Sequence, residues 1–329
     1  MTPVFSDIED AARRLKGFAV ETPVIESEAL NALVGGRVLI KAECLQRTGS
    51  FKFRGAWNMI SRLDKAKHPG GVVAYSSGNH AQGVAAAAQI MELPAVIVMP
   101  SDTPAIKIAN TKGFGAEVVT YDRLTESREA IAERLVAERH AVMVPPFEHK
   151  FIMAGQGTAG LELASEARRR GADLDEVIAP CSGGGLVAGV ATAFAGVSPQ
   201  TKVRTAEPEG FDDMARSLAS GRREKNERRG GSICDALLSP SPGELTFAVN
   251  SKLLGPGVVV SDQEAGAAVR FAFEKLKLVI EPGGAVALAA VLTGKVSAKG
   301  RMIGIIASGG NVDARLYSIL IQDVAATSF

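Results

Sequence analysis

Cysteine is scarce in this sequence of 329 residues, and its three copies lie far apart. Cys44, Cys181 and Cys234 form no Cys-x-x-Cys pair, and no histidine stands near them at the spacing of zinc ligands. An odd number of separated thiols argues against a disulfide framework and against a structural zinc site. We therefore expect a reducing compartment, with the cytoplasm as the default.

The sequence also lacks long apolar runs and an excess of charge of either sign. No stretch reaches the roughly 18 consecutive apolar residues that a membrane-spanning helix needs, and the early acidic residues Asp7, Glu9 and Asp10 are unlike the start of a signal peptide. With 37 basic and 36 acidic residues the net charge is +1. Such a balance offers no electrostatic attraction for nucleic acid or an anionic membrane, and we expect neither as a partner.

What is present is a regular alternation of short β-branched runs and helical patterns. The strand-like runs are 71–76, 95–100, 116–122, 175–180, 202–208, 257–261 and 301–307. The helical patterns that follow the first three of these runs are 81–92, 105–112 and 127–139. Because such alternation is typical of βαβ units, we predict an α/β fold with parallel-rich sheets flanked by helices.

The length of the chain allows two packed lobes. We predict a small lobe from residues 67–148, and a large lobe from residues 1–66 together with 149–329. The small lobe would then be an insertion, with a cleft between the two lobes. Ligand sites favour such interfaces and the carboxyl ends of parallel strands.

Lys52 is the first candidate for chemistry, since it stands between Phe51 and Phe53. Two aromatic neighbours would partly desolvate the ammonium group, lower its pKa and make the neutral amine available as a nucleophile. Lysine stems also commonly lie along apolar surface without any catalytic role. The local string leaves both interpretations open.

A second candidate, Ser76-Ser77-Gly78-Asn79-His80, falls between a predicted strand and a predicted helix. Its hydroxyls, its amide and the first N–H groups of the helix would form a cradle suited to a carboxylate. The alternative is an ordinary helix cap made by Ser77 or Asn79.

The glycine run Gly183-Gly184-Gly185-Leu186, which follows Ser182, also lies between a strand and a helix. Consecutive glycines allow backbone N–H groups to converge on phosphate oxygens. The string equally satisfies G-x-G-x-x-A with Ala188, so an NAD-dependent oxidoreductase must be considered, with Glu207 near the place of the ribose-binding acid. A whole α/β lobe upstream of this motif argues against that alternative.

Ser308 ends another predicted strand, within Ser308-Gly309-Gly310-Asn311. Its hydroxyl could bond the nitrogen of a heterocycle, or the segment could be a buried turn.

Together and in this order, the four motifs resemble the fold-type II pyridoxal-phosphate (PLP) family, in its threonine dehydratase and serine racemase branch. The resemblance covers nearly the whole chain and includes Ala-Gly-Gln-Gly-Thr at 154–158 and Ile-Glu-Pro-Gly-Gly at 280–284. It implies a two-lobed, tryptophan synthase β-like fold, PLP as cofactor and a homodimer. A binding protein or a PLP carrier without catalytic activity is the alternative from another class.

The resemblance also implies a role for each motif. Lys52 is similar to the lysine that binds PLP covalently, Phe51 to the aromatic residue against the pyridine ring, and Asn79 to the residue that bonds the ring hydroxyl. Ser308 would face the pyridine nitrogen. The phosphate loop would be Gly183, Gly184, Gly185 and Leu186, with Ser182 replacing the first of four glycines found in many relatives. The substrate α-carboxylate would lie against Ser76, Ser77, Asn79 and His80.

The implied reaction is that of a dehydratase or ammonia-lyase acting on L-threonine or L-serine. Lys52 would remove the Cα proton, the β-hydroxyl would leave as water, and the product would hydrolyse to a 2-oxo acid and ammonia. Ser77 resembles the second acid/base of the racemases, which makes serine racemase an alternative activity.

Arg128 is similar to an arginine of serine racemases and hydroxyaspartate dehydratases. If it reaches the cleft, it would pair with a β-carboxylate, and 3-hydroxyaspartate would be converted to oxaloacetate and ammonia. Otherwise it lies on the solvent side of a surface helix. Ser239 and Asp235 match positions near the substrate, although Ala236 departs from the glycine usual after this aspartate.

Glu207, the carbonyl of Phe211 and Asp213 resemble the divalent-cation site of the serine racemase branch. Two carboxylates and a carbonyl suit Mg²⁺, Mn²⁺ or Ca²⁺. The alternative is that Asp212 or Asp213 only caps the following helix.

Overall fold

The computed structural model describes residues 1–103, 105–122, 124–228 and 230–322. Its strands are β1 (Val24–Glu26), β2 (Arg37–Ala42), β3 (Val72–Tyr75), β4 (Ala95–Pro100), β5 (Glu117–Tyr121), β6 (Val142–Met143), β7 (Glu176–Pro180), β8 (Lys202–Pro208), β9 (Val258–Val260) and β10 (Met302–Ala307). Its α-helices are α1 (Phe5–Leu15), α2 (Glu28–Val34), α3 (Lys52–Ile60), α4 (Asn79–Ile90), α5 (Ala105–Gly113), α6 (Arg128–Arg139), α7 (Lys150–Arg169), α8 (Gly185–Val197), α9 (Asp213–Ser220), α10 (Glu244–Leu253), α11 (Asp262–Phe271), α12 (Pro282–Leu292) and α13 (Ala314–Gln322).

The strands of the described ranges form two sheets. The larger has the order β1-β2-β10-β7-β8-β9 and the smaller β5-β4-β3-β6. All pairings are parallel except that of β1 with β2. The early strand β2 pairs with the late strand β10, with Ile40 opposite Ile305. The prediction of an α/β fold with parallel-rich sheets is therefore confirmed.

Burial explains why the strand-like runs are continuously apolar. Every residue of β4 and β7 is buried, which is typical of parallel strands covered by helices on both faces. The helix α12 is buried over its whole length and packs beside β10, β7 and β8. The capping box at Ser261 and Glu264 begins α11.

The helix α7 is the element that the alternation pattern fails to predict. Its glycines lower helix propensity, but two of them permit a close backbone contact. A Cβ on Gly155 would clash with the Arg54 carbonyl oxygen, and one on Gly157 would lie 2.5 Å from that of Gly189. Close packing of α7 against α3 and α8 thus outweighs local propensity.

Among the described helices, none has both the length and the apolar character needed to cross a bilayer. The division into lobes at residues 67–148 stays a prediction.

Candidate active site

Lys52 is the first residue of α3 and lies beside the end of β10. Ser50 forms an isolated β-bridge with Gly309, and the backbone N–H of Phe51 donates to the Ser308 carbonyl at 3.1 Å. These contacts bring two sequence-predicted residues, Lys52 and Ser308, together from opposite ends of the chain.

The side chain of Lys52 points into the protein. Its Nζ donates to the Pro146 carbonyl at 2.9 Å and lies 5.2 Å from the centroid of the Phe51 ring. Burial lowers the pKa of this amine from 10.5 to about 8. Phe53 turns away and stacks near Trp57, with ring centroids 6.2 Å apart. The expected desolvation is present, although Phe53 belongs to the core rather than to the site.

The loop after β3 presents Asn79 to the larger sheet. The Asn79 amide donates to the Glu281 carboxylate at 2.7 Å, and its oxygen accepts from the Asn311 amide at 2.8 Å. The helix α4 is capped at Gly78 and receives no side-chain cap from the described residues. Asn79 is therefore used for tertiary contact, and the helix-cap alternative fails for this residue.

His80 anchors the same loop. Its Nε2 lies 2.8 Å from the Val144 carbonyl oxygen, and burial lowers the pKa of the ring from 6.5 to about 3. The imidazole is thus uncharged and donates to the backbone, so its ring cannot contribute positive charge to a carboxylate. Ser76 and Ser77 lie partly buried in this loop, where Ser76 Oγ accepts the Gly78 N–H at 3.2 Å.

The glycine run forms the turn from β7 into α8. Gly184 has φ +95°, which favours glycine, and a Cβ on Gly183 would clash with the Phe147 ring. Since α8 begins at Gly185, the N–H groups of Gly185 and Leu186 stand at a helix N-terminus, where anions bind.

Ser182, which stands where many relatives have a glycine, has a structural role that the sequence did not explain. Its hydroxyl donates to Ser239 Oγ at 2.7 Å, and the Ser239 N–H approaches Ser182 Oγ at 3.3 Å. The two serines join the glycine run to the segment in which we expected substrate contacts.

Glu281 is a site residue for which the motif Ile-Glu-Pro-Gly-Gly suggested no role. It is 3% exposed, and its N–H donates to the Gly309 carbonyl at 3.0 Å. Burial, followed by the nearby Asp235, raises its pKa from 4.5 to about 8, while the Asn79 hydrogen bond and Lys107 oppose this rise. A largely protonated carboxyl therefore stands beside the loop that begins at Ser308.

The segment 144–149 is the main feature that sequence reasoning missed. The Pro146 carbonyl accepts from Lys52, the Phe147 ring fills the space beside the glycine run, and Glu148 accepts the Leu245 N–H at 2.5 Å. The Pro-Pro pair at 145–146 could have indicated this segment, because a proline residue has a carbonyl acceptor but no backbone N–H donor.

Arg128 begins α6 and is neither deep in the site nor isolated on the surface. Its guanidinium carbon lies 5.1 Å from the centroid of the Tyr75 ring, and its Nε donates to Glu129 at 2.8 Å. Tyr75 ends β3 and immediately precedes the serine loop (residues 76–78), so Arg128 lies beside the strand that leads into this loop, with its side chain 44% exposed.

The acidic set at 207–213 is buried. Glu207 accepts the N–H groups of Met214 at 2.9 Å and Ala215 at 2.8 Å, so it is Glu207 that caps α9, not Asp212 or Asp213. Burial and the neighbouring Asp213 raise the pKa of Glu207, and burial raises that of Asp213 to about 7. Asp213 Oδ2 has no hydrogen-bond partner within the described part of the chain.

In the described residues no three His, Cys, Asp or Glu side chains group to hold a metal ion. The expected set contains two carboxylates and a carbonyl, so this finding does not test it. Glu207 contacts the backbone N–H groups at the start of α9, which is not the contact expected of a ribose-binding acid in a dinucleotide site.

Comparison with known proteins agrees with this geometry. The family model described as "Pyridoxal-phosphate dependent enzyme" matches residues 15–309. The L-threo-3-hydroxyaspartate ammonia-lyase of Saccharomyces cerevisiae is 40% identical over 98% of this chain and 97% of its own length. The enzyme of the same name from Pseudomonas sp is 42% identical over 97% and 98%. Among solved structures, maize serine racemase superposes with a TM-score of 0.91 at 38% identity, covering 97% of this chain and 97% of that one.

Proposed function

The chain belongs to the family of pyridoxal-phosphate-dependent enzymes, and on this premise we propose that it eliminates water from a small β-hydroxy L-amino acid. Hydrolysis of the unsaturated amine that results takes up one water and releases ammonia, so ammonia is the net loss. The product is a 2-oxo acid. The observation that carries the proposal is the buried position of the Lys52 amine, which donates to the Pro146 carbonyl, while the N–H of the preceding Phe51 donates to the Ser308 carbonyl.

The residues present fit PLP. Gly183, Gly184 and Gly185 carry no side chains that would cover their backbone N–H groups, and Gly184 adopts φ +95°. The helix N-terminus at Gly185 suits a phosphate, the lowered pKa of Lys52 suits a covalent attachment, and Phe51 supplies an aromatic face beside this amine. Asn79 and Ser308 would bind polar atoms of the ring.

Each polar group then has a task in the reaction. Bound PLP supplies the electron sink that makes the Cα proton acidic. The Lys52 amine accepts that proton at Nζ, and the backbone and hydroxyls of Ser76 and Ser77 hold the α-carboxylate. His80 holds the serine loop in place through its bond to the Val144 carbonyl. Asn79 is held by Glu281 and Asn311, which orient its amide within the site.

We propose L-threo-3-hydroxyaspartate as a substrate beside L-threonine and L-serine. The two relatives named for this compound support it, and so does the Arg128 guanidinium near Tyr75, which would pair with the second carboxylate.

An ammonia-release panel tests the proposal with L-threonine, L-serine and the isomers of 3-hydroxyaspartate. The visible band of bound PLP and ammonia release should both disappear in Lys52→Ala and persist in Lys65→Ala, a half-exposed control. Turnover that survives in Lys52→Ala would overturn the assigned role.

Arg128→Ala should lower kcat/KM for hydroxyaspartate about tenfold relative to L-serine, as expected for the loss of one charged hydrogen bond. Arg134→Ala on the same helix, 64% exposed, is the matched control. Equal selectivity in the two variants would remove Arg128 from the substrate site.

We further propose that Glu207, Asp213 and the Phe211 carbonyl bind a divalent cation. Buried carboxylates with raised pKa values and the unpartnered Asp213 Oδ2 fit a hard cation with oxygen ligands. Mg²⁺, Mn²⁺ or Ca²⁺ should raise the Tm of the wild-type protein and not that of Asp213→Asn. A Tm that responds to none of these ions would contradict the site.

We also propose that the protein is a homodimer and is located in the cytoplasm. Residues 67–148 would move over the bound substrate. Three free, buried cysteines support a reducing compartment. Light scattering after gel filtration tests the dimer.

A further inference from the structure

An ion pair near Glu281 links α5 to the turn that begins at Asp235. Lys107 Nζ, on α5 beside the smaller sheet, lies 2.9 Å from Asp235 Oδ2. The two residues are 128 positions apart. The Lys107 side chain is 24% exposed and that of Asp235 57% exposed, so the pair is reachable from solvent.

The fold places this pair near Glu281, the residue that bonds Asn79. Asp235 begins a short 3₁₀ turn, Asp235–Leu237, which packs against the first turn of α12: a Cβ on Gly283 would lie 3.1 Å from Leu237. The same helix follows Glu281 directly, and Glu281 holds Asn79 at 2.7 Å. The contacts of Asn79 with Glu281 and of Lys107 with Asp235 therefore both link helices beside the smaller sheet to the region around the first turn of α12.

The charges around Lys107 leave its ammonium available for exchange. Glu281 has a pKa of about 8 and is largely uncharged at neutral pH. Asp235 is thus the carboxylate that holds Lys107, and its own exposure keeps that bond weak. A flexible lysine paired with an exposed aspartate can transfer its hydrogen bond to a second carboxylate at little cost.

We propose that Lys107, in addition to Arg128, is a specificity-determining residue that binds the β-carboxylate of a dicarboxylic amino acid, displacing Asp235. This inference deepens the proposed function and rests on it. When a substrate without a second carboxylate, such as L-serine, is bound, Asp235 would remain paired with Lys107. The pair therefore acts as a switch between mono- and dicarboxylic substrates.

Binding measured without turnover tests the inference. L-Aspartate and L-alanine carry no β-hydroxyl, so calorimetry of the PLP-loaded protein gives a dissociation constant for each amino acid. Lys107→Met should raise the Kd for L-aspartate about tenfold and change that for L-alanine less than about twofold. Asp235→Asn removes the competing carboxylate and should lower the Kd for L-aspartate about threefold.

Lys112→Met, an exposed lysine on the same helix, is the matched control and should leave both constants unchanged. Equal changes for the two amino acids in Lys107→Met would overturn the inference, since the pair would then only hold the parts together. An unchanged or weaker affinity for L-aspartate in Asp235→Asn would overturn it as well. The ammonia-release panel decides the lyase activity separately, so failure of the two proposals is distinguishable.

Discussion

Arg54 carries the most exacting stability prediction, because it is fully buried together with an opposite charge. Arg54 and Glu43 are each 0% exposed, and Nε and Nη2 of Arg54 donate to Glu43 at 2.7 and 2.8 Å. Glu162 accepts from the same guanidinium at 2.6 Å. Removing one partner of a buried pair costs about 3–5 kcal/mol, since an uncompensated charge stays behind. We expect Arg54→Met to lower the free energy of unfolding by about this amount at pH 7.

The sign of the pH dependence sharpens this expectation. Burial alone would raise the pKa of Glu43, but Arg54 holds it below the ordinary 4.5. In the wild-type protein this carboxylate contributes stability above about pH 4.5, and the contribution is lost as pH falls. Without Arg54 burial dominates, the pKa rises above 4.5, and stability is lost as pH rises. The difference between the two proteins should therefore shrink below about pH 4.5.

Urea unfolding followed by the fluorescence of Trp57 provides the assay. Trp57 is the single tryptophan, lies on the same helix as Arg54 and stacks on Phe18 with ring centroids 4.0 Å apart. A cycle with Glu43→Gln should show coupling of about 2 kcal/mol, and Arg134→Met should cost less than about 0.5 kcal/mol.

A loss below about 1 kcal/mol in Arg54→Met, or single effects that simply add in the double variant, would refute the reasoning from buried charge.

Three further predictions concern cofactor binding. The rate at which the PLP-free protein captures PLP should rise with pH through a midpoint near 8, because burial lowers the pKa of Lys52 and the neutral amine reacts; a stopped-flow midpoint near 10.5 would contradict this. Gly184→Ala places a Cβ at φ +95° within 2.7 Å of neighbouring side chains, and should raise the Kd for PLP at least about tenfold, whereas Gly171→Ala, at φ +61° in open space, should not; equal Kd values would contradict it. Ser182→Gly breaks the bond to Ser239 and should speed PLP release a few-fold, as should Ser239→Ala; additive effects in the double variant would show that the two hydroxyls act independently.

Much of the fold and of the candidate site could be predicted from the sequence, because the signals are local. The strands at 95–100 and 202–208 are found at the predicted bounds, since continuous apolar runs suit parallel strands. The glycine run and Lys52 are likewise recognisable from a few neighbouring residues, which determine backbone conformation and desolvation. The sequence does not reveal α7, whose glycines are explained by packing alone.

The tertiary structure alone decided which side chains meet. Asn79 and Glu281 are 202 residues apart, and Lys107 and Asp235 are 128 apart, so no local pattern links them. Asn79 and Lys107 stand on α4 and α5, which pack beside the smaller sheet, whereas Glu281 precedes α12, which packs beside the larger sheet. The contacts therefore depend on how elements of the two sheets pack together. The sequence by itself determined the alternation of strands and helices and the motifs on which the proposed cofactor site rests. Long-range packing decided the orientation of Phe53, the hydrogen bonds of Asn79 and the position of Pro146. The physical reason is that these residues contact segments distant in the sequence, which meet only in the folded core.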